Sequence, residues 1–203
     1  MELAIIRKRK AALSAAIEKG CSDRWLLRQW SHFIRTRDGF RCLCCGTKDG
    51  VQAHHIIRKI LFPWSAFDLG NGITLCRPCH ARVHAQFNGR PDMSLPLGAE
   101  QGDDQDEWAF LFGLLREDAS NRGLDEDEFY FLHDLLIEFS VRCQGHADLY
   151  EMMARGAISR LKYAHEVWRL MPESWYADYI PKLVALNLLD EMRQDDGSQL
   201  RDH

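Results

Sequence analysis

GITLCRPCHARVH, residues 72–84, joins an apolar run to a pair of cysteines and a pair of histidines. The run GITLC is β-branched and apolar, which is typical of a strand. The letters PCHARVHAQF, residues 78–87, predict a helix with Pro78 in its first turn, where the missing N–H costs no hydrogen bond. The stretch therefore predicts a strand that leads into a helix, with Cys76 and Cys79 at the junction.

A second cysteine pair lies upstream, in CLCCG at 42–46. Together the chain has two C-x2-C pairs separated by 30 residues: Cys42 with Cys45, and Cys76 with Cys79. Because no export signal is recognisable, this pattern favours a tetrahedral zinc site over disulfides. Cys44 competes for the register, but Gly46 favours Cys45, since the turn after the second thiolate suits a residue that tolerates positive φ. Cys44 is then a spare thiol.

Three other sites that use these residues are disfavoured. CRPCH at 76–80 matches a haem c attachment motif, but haem attachment follows export. A Cys2His2 site that joins Cys42 and Cys45 to His80 and His84 would span a 34-residue gap, against about 12 in a zinc finger. A base deaminase needs H-x-E and P-C-x-x-C motifs, and the chain has neither. Zinc held by four cysteines remains the prediction.

Four histidines lie within 31 residues and are not used by that zinc site: His54, His55, His80 and His84. His80 and His84 are four residues apart on the predicted helix, so they share a face. His54 and His55 are neighbours on the predicted strand VQAHHII, residues 51–57, and therefore point to opposite faces. We expect one of the pair to join His80 and His84 around a second metal ion. The other should point along the opposite face of the ribbon, toward whatever binds in the groove on that side.

The segments CLCCG, QAHHII and GNGITLCRPCHARVH resemble the HNH endonucleases of the zinc-knuckle type, which have the ββα-metal (treble-clef) fold. The resemblance covers about residues 33–87 and leaves out the N-terminal helices and the C-terminal half. Its combination of two knuckles, a His-His pair, an Asn and a final His is highly specific. It implies a metal-dependent enzyme that hydrolyses DNA phosphodiester bonds.

The resemblance also implies a role for each matching residue. His55 matches the general base that takes a proton from the attacking water, and Asn71 matches the central Asn that orients the base or touches the metal. Ligands of a catalytic divalent ion (Mg²⁺, Mn²⁺ or another transition metal) are matched by His54, His80 and, in some branches of the family, His84. The structural zinc ligands are matched by Cys42, Cys45, Cys76 and Cys79.

The net charge of −4 hides an asymmetry between the two halves. Residues 1–90 hold 16 Lys and Arg against 6 Asp and Glu, a net charge of +10, and residues 91–203 hold 10 against 24, a net charge of −14. The basic half is a candidate DNA-binding surface. Its candidate phosphate contacts are Arg35, Arg37, Arg41, Arg58, Lys59, Arg77 and Arg82. The acidic half could bind a protein partner, compete with DNA, or contribute only its folded bulk.

These patterns predict an α+β, mostly helical fold: a ββα-metal HNH core with N-terminal helices and an all-α C-terminal domain. The expected divisions are a basic helical arm at 1–32, the nuclease core at 33–87, a linker rich in Gly, Pro and acid at 88–107, and an acidic helical domain at 108–203. Helices are predicted at 2–19, 22–37, 147–154, 157–170 and 174–192. Phe129, Leu132, Leu136 and Phe139 recur with helical spacing.

No apolar run approaches the ~20 residues of a membrane span, and a cytoplasmic protein is expected. The alternative to an enzyme is a non-catalytic zinc module that binds nucleic acid or protein. The presence of both His55 and His80 favours the enzyme, since a pure binding module needs neither. The sequence leaves open the target, DNA against RNA, nicking against double-strand cutting, the oligomeric state, and a phage or mobile-element origin against a restriction or defence role.

Overall fold

The computed structural model describes residues 2–59, 63–84 and 104–174. This part of the chain is mostly helical with one two-stranded antiparallel sheet, which confirms the α+β class. The N-terminal half contains α1 (Glu2–Glu18), α2 (Asp23–Arg37), β1 (Val51–His55), a 3₁₀ turn (Pro63–Ser65), β2 (Gly72–Cys76) and α3 (Arg77–Val83). The C-terminal half contains α4 (Gln105–Arg122), α5 (Glu126–Phe129), α6 (Asp134–Gln144), α7 (Ala147–Ala154) and α8 (Arg160–Arg169). Within these ranges, no helix has both the length and the apolarity required to cross a membrane.

The two strands form a ribbon that lies between two helices. β1 and β2 pair in a register that places Val51 opposite Cys76 and His55 opposite Gly72. α2 packs against both strands, as does α3, and every residue of β2 is buried. Gly72 permits the close approach of α2, because a Cβ there would lie 2.5 Å from Cζ2 of Trp30. The ribbon therefore presents one face to α2 and the other to α3.

A single apolar core runs through both halves of the described chain. Its buried side chains come from α1 and α2, the ribbon, and the C-terminal helices; among them are Ile6, Leu13, Trp30, Phe33, Ile73, Leu75, Leu111, Phe112, Phe129, Tyr130, Leu161, Val167 and Trp168. Ion pairs also join the halves: Arg7 with Glu128, Arg122 with Glu2, and Arg41 with Asp118. The acidic helices thus share buried surface with the basic half.

Arg37 corrects one prediction, since it is not available to bind a phosphate. Its side chain is completely buried. The guanidinium donates to Asp38 at 2.7 Å and to the backbone oxygens of Leu69 and Gly72 at 2.5 and 2.6 Å. It also lies over the Tyr130 ring, 4.2 Å from its centroid. Because the Arg37 guanidinium is buried and bonded to groups within the protein, it stabilises the fold and is not available to an external ligand.

Element boundaries differ from the predictions in several places, and β1, for example, ends at His55 rather than at Ile57. α4 begins at Gln105, capped by the Asp104 side chain, so it starts inside the predicted linker; the rest of that linker, 88–103, lies outside the described residues. The periodic segment from Phe129 to Phe139 is interrupted, because α5 ends at Phe129 and α6 begins at Asp134. α3 ends at Val83. Residues 85–87, and the predicted final helix beyond residue 174, lie outside the described residues.

Candidate metal centres and the histidine on β1

The four predicted zinc ligands come together at one end of the ribbon. The Sγ atoms of Cys42, Cys45, Cys76 and Cys79 all lie within 4.8 Å of one another. The Sγ atoms of Cys45 and Cys76 are 3.6 Å apart. Zn–S bonds of about 2.3 Å in a tetrahedron place sulfurs roughly 3.8 Å apart, so the cluster fits a zinc ion.

The first knuckle is shaped by backbone hydrogen bonds. The N–H of Gly46 donates to the carbonyl of Cys42 at 2.8 Å, and Gly46 has a φ of +77°. The N–H of Leu43 donates to Thr74 on β2 at 3.0 Å, which brings the knuckle against the second cysteine pair. Burial raises the pKa of Cys42, but N–H groups from Cys76, Cys45 and Cys44 outweigh it and lower that pKa to about 7. This thiol is therefore prepared to bind as a thiolate.

Cys44 is not one of the four cysteines whose Sγ atoms form the cluster. Its Sγ accepts a hydrogen bond from Nη2 of Arg82 at 3.3 Å. The same guanidinium lies 5.3 Å from the centroid of the Phe110 ring on α4. The prediction that Cys45, and not Cys44, completes the knuckle agrees with this arrangement.

A second cluster contains three imidazoles from β1 and α3. Ring nitrogens of His54, His80 and His84 lie within 4.8 Å of one another. Burial, followed by the neighbouring His80 and His84 rings, lowers the pKa of His54 to about 2. Burial also lowers the pKa of His80. The His54 and His80 rings are therefore neutral near pH 7, which is the form that binds metal.

The donor set of this cluster fits a divalent transition metal. Imidazole suits Zn, Cu, Fe and Ni, and three protein ligands leave coordination positions for water or substrate. Each ring is held on a regular element: His54 pairs opposite Ile73 in the ribbon, His80 lies on α3, and His84 caps its C-terminus. The cluster could thus hold an ion with an open side.

His55 faces away from the imidazole cluster, toward α2. Its ring stacks on the indole of Trp30, with centroids 4.0 Å apart and planes 6° apart. Nε2 lies 2.9 Å from the backbone oxygen of Ala66. Because a carbonyl only accepts, Nε2 carries the hydrogen, and Nδ1 of the neutral ring carries the lone pair. Burial is the main cause that lowers the pKa of His55, so the ring is neutral near pH 7.

Asn71 is completely buried and ties the end of β1 to the loop that precedes β2. Its Oδ1 accepts from the N–H of Ile57 at 2.8 Å, and its Nδ2 donates to the carbonyl of Ile57 at 2.9 Å and to Oγ of Ser65 at 3.3 Å. Of the two roles that the resemblance allows for Asn71, these contacts match the one that pins the loop.

The basic residues predicted to contact phosphates differ in the exposure of their side chains and in the partners they have within the protein. Lys59 and Arg77 are exposed, and Arg35 and Arg58 are partly buried. Arg41 is ion-paired with the buried carboxylate of Asp118, and Arg82 is engaged by Cys44 and Phe110. Lys59 and Arg77 are therefore the strongest candidates for phosphate contacts.

Three groups at His55 were not identified as site residues from the sequence: Trp30, Ala66 and Asp68. The spacing of Trp30 with Phe33 marked it as core, and it is buried; nothing in that spacing indicates that its indole also stacks on a histidine. Ala66 acts through its backbone oxygen, which carries no sequence signal. Asp68 is an isolated acid in a loop, and its contacts involve residues far away in the chain.

Comparisons with protein-family models, with curated proteins and with solved structures gave no match. The chemistry of the site therefore rests on its own geometry.

Proposed function

We propose that the chain is a metal-dependent HNH endonuclease that hydrolyses DNA phosphodiester bonds. The observation that carries the proposal is the divergence of two adjacent histidines. His54 joins His80 and His84 in a cluster suited to a divalent ion, while His55 is held on the opposite face of β1 with the lone pair of its neutral ring on Nδ1. A zinc-binding interaction module has no use for this second set of histidines.

His55 acts as the general base in this proposal. Nδ1 takes a proton from the water that attacks phosphorus, and Nε2–H stays on the carbonyl of Ala66 as the ring becomes an imidazolium. The stack on Trp30 limits ring rotation. General base catalysis of this kind contributes about 10²- to 10⁴-fold.

His54, His80 and His84 would hold the catalytic ion, and the four cysteines would hold a structural zinc. A divalent ion bound at the imidazoles supplies charge stabilisation on the scissile phosphate and the leaving oxygen. Lys59 and Arg77 are exposed near the ends of β1 and β2, where they can contact phosphates without reading sequence.

The proposal is tested by incubating the zinc-loaded protein with supercoiled plasmid and with single-stranded DNA, across Mg²⁺, Mn²⁺, Ni²⁺ and Zn²⁺. Metal-dependent conversion of the plasmid to nicked or linear forms is expected. His55→Ala should lose cleavage by at least the general-base factor of about 10² while it retains zinc and DNA binding. His32→Ala, on the outer side of α2, is the matched control and should cleave as the wild type does.

The same assay has a defined pH dependence. The base works only when unprotonated, and the pKa of His55 is lowered from its usual 6.5. The midpoint of the acid-side decline in rate should therefore lie below pH 6.5. DNA binding without cleavage in any metal would instead favour the non-catalytic zinc module.

A further inference from the structure

The loop that contacts His55 is bonded at Ser65 by Asn71 and at Leu69 by Arg37. Its local hydrogen bonds are those of a turn: Ala66 N–H to Pro63 at 3.2 Å and Asp68 N–H to Ser65 at 3.1 Å. Yet the carbonyl of Ala66 must stay within hydrogen-bond distance of Nε2 of His55. The precision of that contact depends on what holds the loop from outside.

Trp30 holds one side of the loop. Its indole Nε1 donates to the backbone oxygen of Asp68 at 2.9 Å, and the same indole stacks on His55. One rigid ring thus links the loop to the imidazole. A shift of Asp68 would disturb both the stack and the Ala66 contact.

The other side of the loop is held by the C-terminal half, through the segment Tyr130–His133 between α5 and α6. The N–H of His133 donates to Oδ2 of Asp68 at 2.8 Å. The N–H of Gly70 donates to the carbonyl of Phe131 at 2.8 Å. A Cβ at Gly70 would lie 2.2 Å from the carbonyl oxygen of Tyr130, so the two backbones are in direct contact.

This contact explains the interrupted helix. A continuous helix from Phe129 to Phe139 would use these N–H and C=O groups internally. In the structure they turn outward and bond to the loop instead. Arg160 on α8 braces the segment from behind, since it donates to the carbonyl of Leu132 at 2.9 Å and pairs with Asp134 at 2.5 Å.

We infer that the segment Tyr130–His133 and Asp68 form a clamp that positions His55, so that the C-terminal half completes the catalytic site. Asp68 is a positioning residue: it accepts from His133 with its side chain and from Trp30 with its backbone, and it touches no reacting atom. The inference rests on the proposed function for the role of His55, but the placement of the ring can be measured without any catalysis.

The test compares two substitutions at His133 in the full-length, zinc-loaded protein. His133→Pro removes the N–H that Asp68 accepts, and the φ of −65° at this position suits proline. His133→Ala keeps that N–H. Both variants lose the imidazole that caps α6, so the difference between them isolates the clamp. A second pair does the same from the other side: Asp68→Ala removes the acceptor, and Asp68→Asn keeps an oxygen for it.

His133→Pro and Asp68→Ala should lower kcat by about 10- to 100-fold relative to their matched partners, the range typical of residues that orient a catalytic group. KM for DNA and zinc content should not change. In ¹⁵N spectra of the zinc-loaded protein, His55 (assigned from His55→Ala) should be the Nε2–H tautomer in the wild type and a mixture of tautomers in these two variants. Where one variant loses zinc, the other pair decides.

The inference is overturned if both clamp-breaking variants keep the wild-type kcat and the wild-type tautomer, or if the two members of each pair lose the same activity. A wild-type protein that cleaves no nucleic acid would overturn the proposed function. In that case the spectra still decide whether the clamp positions the ring.

Discussion

Among single residues, Arg37 shows how a buried charge can stabilise the fold. Its guanidinium and the Asp38 carboxylate are both inaccessible to solvent, and the second carboxylate oxygen accepts from the N–H of Thr74 at 2.8 Å. Removing water from two charges is costly unless every hydrogen-bonding group is satisfied. Here the pair connects α2 to β2 and to the loop before it.

Arg37→Met should therefore destabilise the protein by about 3–5 kcal/mol, because it leaves the Asp38 carboxylate buried without its cation. Arg35→Met is the matched control on the same helix. Arg35 is partly exposed and, among the residues that the structure describes, donates to the carbonyl of Ser31, so its loss should cost no more than about 0.5 kcal/mol. Denaturant unfolding at neutral pH measures both values, and equal costs for the two variants would contradict the structural role of Arg37.

The position of Arg37 shows what could and could not be predicted. It follows Phe33 by four residues and Trp30 by seven, so the helical period places it on the buried face. Residue type alone suggested a phosphate contact. The partners that make its burial possible, the carbonyls of Leu69 and Gly72 and the Tyr130 ring, come from distant parts of the chain and leave no local pattern.

At the scale of elements, the knuckle and the ribbon depend on each other. The Leu43–Thr74 hydrogen bond brings Cys42 and Cys45 to the end of β2, where Cys76 is the last residue of the strand and the N-cap of α3. A two-stranded ribbon has little stability of its own. A zinc ion bound at the four cysteines would contribute roughly 10–16 kcal/mol, which would supply the stability that so small a sheet lacks.

Substitution of single cysteines should separate the ligands from the spare thiol. Cys45→Ser should lose zinc and cooperative unfolding, because it removes one of four thiolates from the cluster. Cys44→Ser should keep both, since Cys44 lies outside the group of four sulfurs and its Sγ accepts from Arg82. Elemental analysis with thermal unfolding checks the two variants, and zinc lost from Cys44→Ser but kept in Cys45→Ser would reverse the assigned register.

At the scale of the whole molecule, the two oppositely charged halves fold around one core. Phe129 and Tyr130 are buried in the same cluster as Trp30 and Phe33, and Asp118 receives Arg41 and Arg122. The acidic half therefore uses part of its charge internally. The C-terminal helices contribute to the same apolar core as the ribbon, so the stability of the ribbon depends on them.

A chain that ends at residue 103 should accordingly fail to fold. It would lose the cover of many large apolar side chains, at about 1.5–3 kcal/mol each, against a typical total stability of about 5–15 kcal/mol. Buried Arg37 would also lose the Tyr130 ring. Calorimetry and zinc analysis of this fragment are the measurement. A cooperative transition at the wild-type temperature would show that the N-terminal half is an independent domain.

The local features of this protein could be predicted from the amino-acid sequence. C-x2-C spacing identified four thiolates that meet, Gly46 indicated the positive-φ turn, and the alternation of a strand separated His54 from His55. Helical period indicated α1, α2, α7 and α8 to within a few residues. Each of these features depends on residues that are neighbours within one turn, one strand or one knuckle. Over such short distances the covalent geometry of the backbone restricts where side chains can point.

Contacts between residues that are far apart in the chain could not be predicted and are seen in the folded structure. The burial of Arg37, the break between α5 and α6, and the clamp from His133 to Asp68 each join residues that are 32 or more positions apart. Backbone N–H and C=O groups make most of these bonds, and every residue carries them. Such contacts therefore arise from how the elements pack, which no local pattern of side chains records.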